Sequence, residues 1–330
     1  MCCRDDLKYD IDGSFMNFPS ISLSDTPEDT LENFFKMRAD TIAKGVKGEG
    51  NKFACQHCKE WVKADWEFNS FITYVNMSFY PSPCQAHCCY CGLNGNLTNT
   101  TSTRVDESYK KLFDCLDIAK KYKLIEPTGI AFWQVSCGEI TIHPYKKRIM
   151  QLVKGARTCY FTNGFIFDED IARELHDNPL ASINISIDAG TPETWYKVKG
   201  VNNFAKVLEN LAKYSDSAST KEKITFKYIV MPDINDSNED FLALTYIMKF
   251  FGINKLNIAR DFSVSYAISN RVAYNSEKFI DKKLIASVAR LIEICQIKGL
   301  DFVLSSLYTH EERLATKNLA DKLLQAFLNR

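Results

Sequence analysis

The sequence predicts an α/β fold built on a parallel sheet, either curled into a barrel or left open and doubly wound. Two observations predict it. From about residue 68 onward, short β-rich runs alternate with amphipathic helical runs in six successive βα units, and right-handed crossovers turn such units into parallel pairs. The length, 330 residues, suits about two domains or one large α/β barrel. In either architecture the loops at the carboxyl ends of the strands carry the chemistry.

The elements follow in order. Residues 1–67 lack the rhythm, and up to Pro19 there is little periodicity. Asp25-Thr26-Pro27-Glu28-Asp29 then starts a helix. Asp25 or Thr26 caps the free N–H groups, Pro27 suits the first turn and the acids favour the dipole. Leu31, Phe34, Phe35 and Arg38 share a face, and the helix stops near Gly45. Strands are read near 70–77, 129–135, 157–162, 182–188, 223–231 and 254–259. Helices are read near 105–121, 144–153, 168–176, 192–213, 237–251 and 276–298. Leu112, Cys115, Leu116 and Ala119 repeat at helical spacing, as do Phe241, Leu244, Ile247, Met248 and Phe251. A seventh strand, Phe302-Val303-Leu304, precedes a final helix. The chain divides into an N-terminal cysteine-containing segment (1–67), a core (68–305) and a C-terminal helix (306–330).

Composition narrows the function classes. Hydrophobic residues are 45% and charged residues 25%, enough apolar material for a real core and no sign of bulk disorder. The 41 basic and 41 acidic residues cancel, so the chain has no basic field for nucleic acid or acidic membrane. Lysines 110, 111, 120, 121 and 123 form a local basic stretch, read as the solvated face of a helix rather than an RNA site. The N-terminus has no apolar secretory core, and no run nears the about 18 apolar residues of a membrane span. The expectation is a reducing cytoplasm. The abrupt start at Cys2-Cys3 also fits a chain that lacks a natural upstream segment. Twelve cysteines in such a chain point to metal or redox chemistry, since it is too long to need disulfide staples.

The strongest signal follows the first strand. Cys84-Gln85-Ala86-His87-Cys88-Cys89-Tyr90-Cys91 has the spacing C-x3-C-x2-C at Cys84, Cys88 and Cys91. Three thiolates on one loop can hold three irons of a [4Fe–4S] cube and leave the fourth iron open to a small molecule with an amine and a carboxylate. A zinc knuckle is the competing reading. Cys89 is out of register, His87 reads as a loop side chain, and Cys115, Cys159 and Cys295 read as core residues.

This loop, with Tyr90 in its aromatic position, resembles the radical S-adenosylmethionine (radical SAM) superfamily, and the resemblance spans roughly residues 68–305. Ser136-Cys137-Gly138-Glu139 stands where that family has Gly-Gly-Glu, with Cys137 in place of the first glycine. Phe161-Thr162-Asn163-Gly164 is similar to its T-N-G turn, and Ser186-Ile187-Asp188-Ala189-Gly190 to its S-I-D-G strand end. Lys227-Tyr228-Ile229-Val230-Met231-Pro232, with Asn235-Asp236, is similar to its K-Y-x-V-x-P-x-x-N-D stretch. The resemblance implies a partial (β/α)6 TIM-like barrel carrying a [4Fe–4S] cluster and S-adenosylmethionine. Cys84, Cys88 and Cys91 would hold the cluster. Gly138 and Glu139 would form the turn for the cofactor's amino group, and Tyr90 would support its adenine side. Ser186 and Asp188 would lie near its ribose or carboxylate, with Lys227 pointing at the carboxylate or flanking the strand. Asp188 could instead cap the helix at Thr191-Pro192-Glu193. An electron donor such as flavodoxin or ferredoxin is implied.

Cys2-Cys3 and Cys55-x2-Cys58 lie outside the barrel. Two such pairs can make a four-thiolate site for zinc or a second iron–sulfur cluster. The layout, with Trp61 or Trp66 leading into strand one, resembles uncharacterised radical SAM proteins with a front-end segment. Only Cys295 lies in the C-terminal half beyond the barrel's fourth strand, so a C-terminal SPASM extension is not expected. Three functions stay open: modification of a small metabolite or sugar-type substrate, modification of a peptide or partner protein, and a non-catalytic iron–sulfur or zinc scaffold.

Overall fold

The computed structural model describes residues 26–46, 71–77, 83–91, 103–125, 131–135, 138–261, 281–305, 308 and 310–329. Cys2, Cys3, Cys55 and Cys58 lie outside the described residues, as do Ser136 and Cys137. Among the described residues seven strands form one sheet: β1 Tyr74–Asn76, β2 Phe132–Val135, β3 Arg157–Thr162, β4 Ala181–Ser186, β5 Ile224–Ile229, β6 Lys255–Ala259 and β7 Asp301–Leu304. All neighbouring pairs are parallel, in the order 1-2-3-4-5-6-7. A doubly wound sheet reverses its strand order at a switch point. A sequential order does not, so this is the partial TIM-like barrel, with the seventh strand paired to the sixth.

The helices are α1 Pro27–Val46, α2 Thr103–Lys121, α3 Lys146–Val153, α4 Glu169–Asp177, α5 Pro192–Lys199, α6 Phe204–Ser217, α7 Asn238–Phe251, α8 Lys282–Lys298 and α9 His310–Leu328. Their starts follow capping chemistry. The side chains of Asp168, Thr191, Ser237 and Asp281 accept N–H bonds at the first turns of α4, α5, α7 and α8, and Thr26 does so for α1. One long helix expected over 192–213 is two, because Gly200 takes the left-handed φ of 70° and ends α5. The expected strand over 182–188 ends at Ser186, because Asp188 turns to φ 48°.

Register sorts the sheet into two faces. Trp133, Tyr160, Ile183, Ile185, Phe226 and Ile258 are buried on the face that carries the helices. Tyr228 on that face meets Phe241 of α7 edge-on, with ring centroids 5.8 Å apart. The opposite face is the more polar one, with Gln134, Ser182, Asn184, Ser186, Thr225, Lys227 and Asn257 in cross-strand rows beside Phe132, Phe161, Ile229 and Ala259. A face packed on helices drives folding by apolar burial, which leaves the other free to be polar. α1 lies against α2, where Leu31 joins the core and the Cys115 thiol reaches the Pro27 carbonyl. Among the described residues no helix is long and apolar enough to cross a membrane.

One buried group makes the fold pH-sensitive. His143 sits between Tyr145, whose N–H donates to its Nδ1 at 3.1 Å, and the Tyr109 hydroxyl, 3.0 Å from its Nε2. Burial pulls its pKa from 6.5 down to about 4. The folded state therefore holds it neutral, and the unfolded chain takes up the proton first. The stability this contributes is present above pH 6.5 and is lost as the pH falls to about 4. We expect the unfolding free energy of the apoprotein to drop by about 3 kcal/mol across that window from this group. A His143→Asn variant should show a correspondingly flatter profile in urea titrations. Identical slopes for the two proteins would refute the assignment.

Candidate functional site

The cysteine loop is pinned from two sides. The Glu139 N–H donates to the Pro83 carbonyl at 3.0 Å. At the other end, the His87 N–H donates to the Lys199 carbonyl and the Cys89 N–H to the Val198 carbonyl, each at 2.9 Å. The last carbonyls of a helix lack intrahelical partners, and here the cysteine loop supplies them. The approach is so close that a Cβ on Gly200 would lie 2.9 Å from the His87 Cβ. Within the loop, the Cys91 N–H closes a turn onto the Cys88 carbonyl at 3.0 Å.

Cys84, Cys88 and Cys91 are half-buried, while Cys89 is exposed. Asn163 points its side-chain N–H at the Cys84 sulfur, 3.7 Å away. Burial pushes the Cys84 thiol up to about 11, so a metal must displace a proton there to bind. Among the described residues no three His, Cys, Asp or Glu side chains gather around a single point as one metal ion needs. An iron–sulfur cube makes no such demand, because each thiolate binds a separate iron. The Cys89 thiol turns to the Met231 thioether at 3.7 Å. Cys115 and Cys295 are buried.

Glu139 ties the second and third strands together next to this loop. Its Oε1 accepts from the Thr141 N–H, the Thr141 hydroxyl and the Thr162 hydroxyl, and its Oε2 from the Asn163 N–H at 2.7 Å. Full burial raises the carboxyl above its ordinary value against the pull of those bonds. The side chain is thus committed to holding the Thr162-Asn163-Gly164 turn. Gly138, next to it, takes the left-handed φ of 52°.

The β4 end holds an ion pair. Asp188 and Lys199 are both 0% exposed, with Lys199 Nζ 2.5 Å from Asp188 Oδ2. The Tyr90 hydroxyl donates to the same oxygen at 2.7 Å, and Lys199 Nζ lies 3.0 Å from that hydroxyl. Asp188 Oδ1 accepts the Ile229 N–H at 2.6 Å, and the Asp188 carbonyl accepts from the Asn235 side chain at 2.9 Å. Burial alone would raise the Asp188 carboxyl, but the ammonium groups of Lys199 and Lys227 hold it below its usual range. Lys199 shows the mirror case: burial would lower it, and Asp188 with the nearby thiols of Cys88 and Cys84 raises it. Asp188 does not cap α5, since Thr191 does.

Lys199 and Asn163 were not singled out from the sequence for any role. The signal for Lys199 is a lysine one helical turn after Trp195, on the face that buries Trp195 and Val198. The Asn163 signal lay in the T-N-G turn, whose side chain points at the cluster loop rather than to solvent.

Other groups lack partners. Ser186 and Lys227 are cross-strand neighbours on the polar face, and neither side chain makes a hydrogen bond to a described residue. Burial lowers the Lys227 ammonium, with Asp188 opposing. Asn257, paired with Lys227 across β5 and β6, has a buried Oδ1 with no partner, as does Asn184. Gln85, beside Cys84, has neither end of its buried amide satisfied. Buried polar atoms normally find partners. An orphaned amide on the cysteine loop and orphaned oxygens on the polar face together fit a cluster with a polar ligand alongside it.

The family model described as "Radical SAM superfamily" matches residues 82–245. A Methanocaldococcus jannaschii protein described as "Probable GTP 3′,8-cyclase" is 23% identical over 217 residues, covering 63% of this chain and 69% of that protein. A Saccharolobus solfataricus protein of the same description is 24% identical over 182 residues, 53% of each chain. Among solved structures, Streptococcus suis SuiB bound to precursor peptide SuiA superposes with a TM-score of 0.53 at 17% identity, covering 91% of this chain and 59% of that one. SuiB bound to S-adenosylmethionine gives 0.51 at 16% identity, covering 88% and 58%. Likeness at that identity shows the fold.

The docking of the loop on α5 yields a test. Gly200→Ala forces a side chain into a left-handed backbone and onto His87, and should cost about 2 kcal/mol or more. Gly252→Ala, at φ 68° with only the Lys221 side chain at 3.7 Å, carries the backbone cost alone. Iron retained after anaerobic loading should fall in the first variant and not in the second. Equal retention in both would show that α5 does not hold the loop.

Proposed function

This chain belongs to the radical SAM superfamily of enzymes, and from that premise we propose that it generates a 5′-deoxyadenosyl radical to act on a small polar metabolite or sugar-type substrate. One observation carries the reading: three half-buried thiols sit on a single pinned loop beside a polar sheet face whose amide oxygens and ammonium lack partners. Cys84, Cys88 and Cys91 would hold three irons of a [4Fe–4S] cluster. When bound, that cluster with S-adenosylmethionine at its open iron supplies one-electron cleavage of the sulfonium, giving methionine and the radical that takes a substrate hydrogen.

The protein's own residues bind, orient and exclude water. The backbone at Gly138 is the surface this corner leaves for the cofactor's amino group, since the Glu139 N–H is held by Pro83, its carbonyl by the Ile142 N–H and its carboxylate by four donors. Ser186 and Lys227, unpartnered and adjacent, suit its hydroxyl and carboxylate ends. Tyr90 offers its ring while its hydroxyl is held by Asp188. Asp188 acts from behind, holding Lys199, Tyr90 and the start of the β5 exit in place.

The unpaired oxygens of Asn184 and Asn257 need N–H or O–H donors, which a hydroxyl- or amine-bearing substrate provides. A ribosomally made peptide or a partner protein is the second reading, because peptide N–H groups could meet the same acceptors. A flavodoxin- or ferredoxin-type donor in the cytoplasm, and a second cluster or zinc at Cys2, Cys3, Cys55 and Cys58 in an N-terminal segment 1–67, complete the proposal.

Anaerobic reconstitution followed by reduction should release 5′-deoxyadenosine from S-adenosylmethionine, and Cys88→Ala should abolish it. Deuterated polar metabolites should then pass label into 5′-deoxyadenosine. Full cluster loading without cleavage would overturn the function, and label arriving only from peptides would overturn the substrate class. For the N-terminal site, unchanged iron and zinc in Cys55→Ala/Cys58→Ala would remove it.

A further inference from the structure

We propose that Asn184 and Asn257 are the residues that select the substrate, each holding one hydroxyl of a sugar with both ends of its side-chain amide. The proposal rests on the reading that the chain generates a 5′-deoxyadenosyl radical.

Register puts the two on the same face of the sheet. Asn257 on β6 pairs with Lys227 on β5, which pairs with Ser186 on β4, so the three form one row. Asn184 lies one row deeper, two residues before Ser186, between Phe161 on β3 and Thr225 on β5. It is only 6% exposed. The Oδ1 atoms of both asparagines are buried without a hydrogen-bond partner, and neither side-chain nitrogen bonds a described residue. The Ser182 hydroxyl, next on this face of β4, donates instead to the Thr158 carbonyl at 3.3 Å.

Asparagine is a poor strand former, and a buried acceptor without a partner destabilises a fold. Two of them on one face are a standing cost in the unliganded chain, and a bound group that satisfies them removes it. That group must donate to Oδ1, and it satisfies the whole amide if the same atom accepts from Nδ2. A hydroxyl does both. An ammonium or a peptide N–H only donates, and a carboxylate only accepts. The spacing asks for more than one hydroxyl. The two asparagines stand two strands and one row apart, about 10 Å across the sheet and about 7 Å along it at the backbone. One hydroxyl cannot reach both, whereas a sugar carries them at several carbons.

Their levels give the two residues different tasks. Asn257 shares its row with Ser186 and Lys227, the pair proposed above for the cofactor, so it fixes the part of the sugar nearest the radical. Asn184, a row further from the carboxyl ends of the strands, holds the remote end. Misalignment at the reacting carbon lowers turnover, while loss of a remote hold is read in KM.

The full chain, anaerobically reconstituted and reduced, is first assayed for 5′-deoxyadenosine from S-adenosylmethionine. None from a fully loaded cluster would overturn the radical reading and this proposal together. The probes are D-glucose, D-ribose and N-acetyl-D-glucosamine deuterated at carbon, with deuterated tetra-alanine beside them. At least one sugar should pass deuterium to 5′-deoxyadenosine, and the peptide should pass none. With that sugar, Asn257→Leu should lower kcat for label transfer about 10-fold and raise the 5′-deoxyadenosine released per label transferred. Asn184→Leu should raise KM about 10-fold with kcat nearly unchanged, the worth of about one hydrogen bond. Without sugar, both Leu variants should melt no lower than the wild type, because each removes an unpartnered acceptor; a merely structural asparagine would lose stability. Cleavage with no label from any sugar, label from the peptide, wild-type kinetics in either variant, or a lower melting temperature in either would overturn the proposal and leave the radical reading standing.

Discussion

The buried pair of Asp188 and Lys199 is the constraint on which the site depends. Two charges removed from water cost several kcal/mol each, and only close geometry with further hydrogen bonds offsets that. Here the geometry is supplied by four separate parts of the chain: the β4 end gives Asp188, α5 gives Lys199, the cysteine loop gives Tyr90, and β5 gives the Ile229 N–H. None of the four can shift without leaving a buried charge unmatched. The pair thus converts a loop, which would otherwise be mobile, into part of the barrel.

A second network, centred on hydrogen-bonded acids, holds the surrounding turns. Glu139 gathers four donors from the corner between β2 and β3. Asp240 of α7 does the same for the turn after β4, accepting from the Gly190 N–H, the Thr191 N–H and the Thr191 hydroxyl. Gly190 is required there, because a Cβ would lie 2.0 Å from the Asp240 carbonyl. Asn235 closes the circuit by linking the backbone of Asp188, Ile229 and Met231. The carboxylates and amides at the strand ends are thereby spent on the scaffold, and among the described residues the Ser186 and Lys227 side chains and the Oδ1 atoms of Asn184 and Asn257 are left over.

Much of this was legible in the sequence, for a physical reason. Helical periodicity at Leu112, Cys115, Leu116 and Ala119 is dictated by burial, and all four are buried. The C-x3-C-x2-C spacing singled out the loop of Cys84, Cys88 and Cys91, which the structure pins between Pro83 and the end of α5. Whether the sheet was curled or doubly wound was not legible from alternation alone, because both give βα units; strand order decides it. The break at Gly200 was missed because apolar residues on both sides continue the helical pattern, while the left-handed turn depends on one glycine. Lys199 was missed because a lysine on a helix is usually solvated, and its partners lie 11 and 109 positions away in the chain. Asp188 reads as a helix cap or a ligand contact in sequence, and only the three-dimensional position of Lys199 shows that its oxygens are already taken.

The central claim is that three thiolates leave one iron open for a bound amine and carboxylate. Electron–nuclear double resonance on the reduced protein, with S-adenosylmethionine carrying nitrogen-15 in its amino group and oxygen-17 in its carboxylate, tests it most directly. The account predicts hyperfine coupling of both nuclei to the cluster. A fully loaded cluster that couples to neither would contradict it.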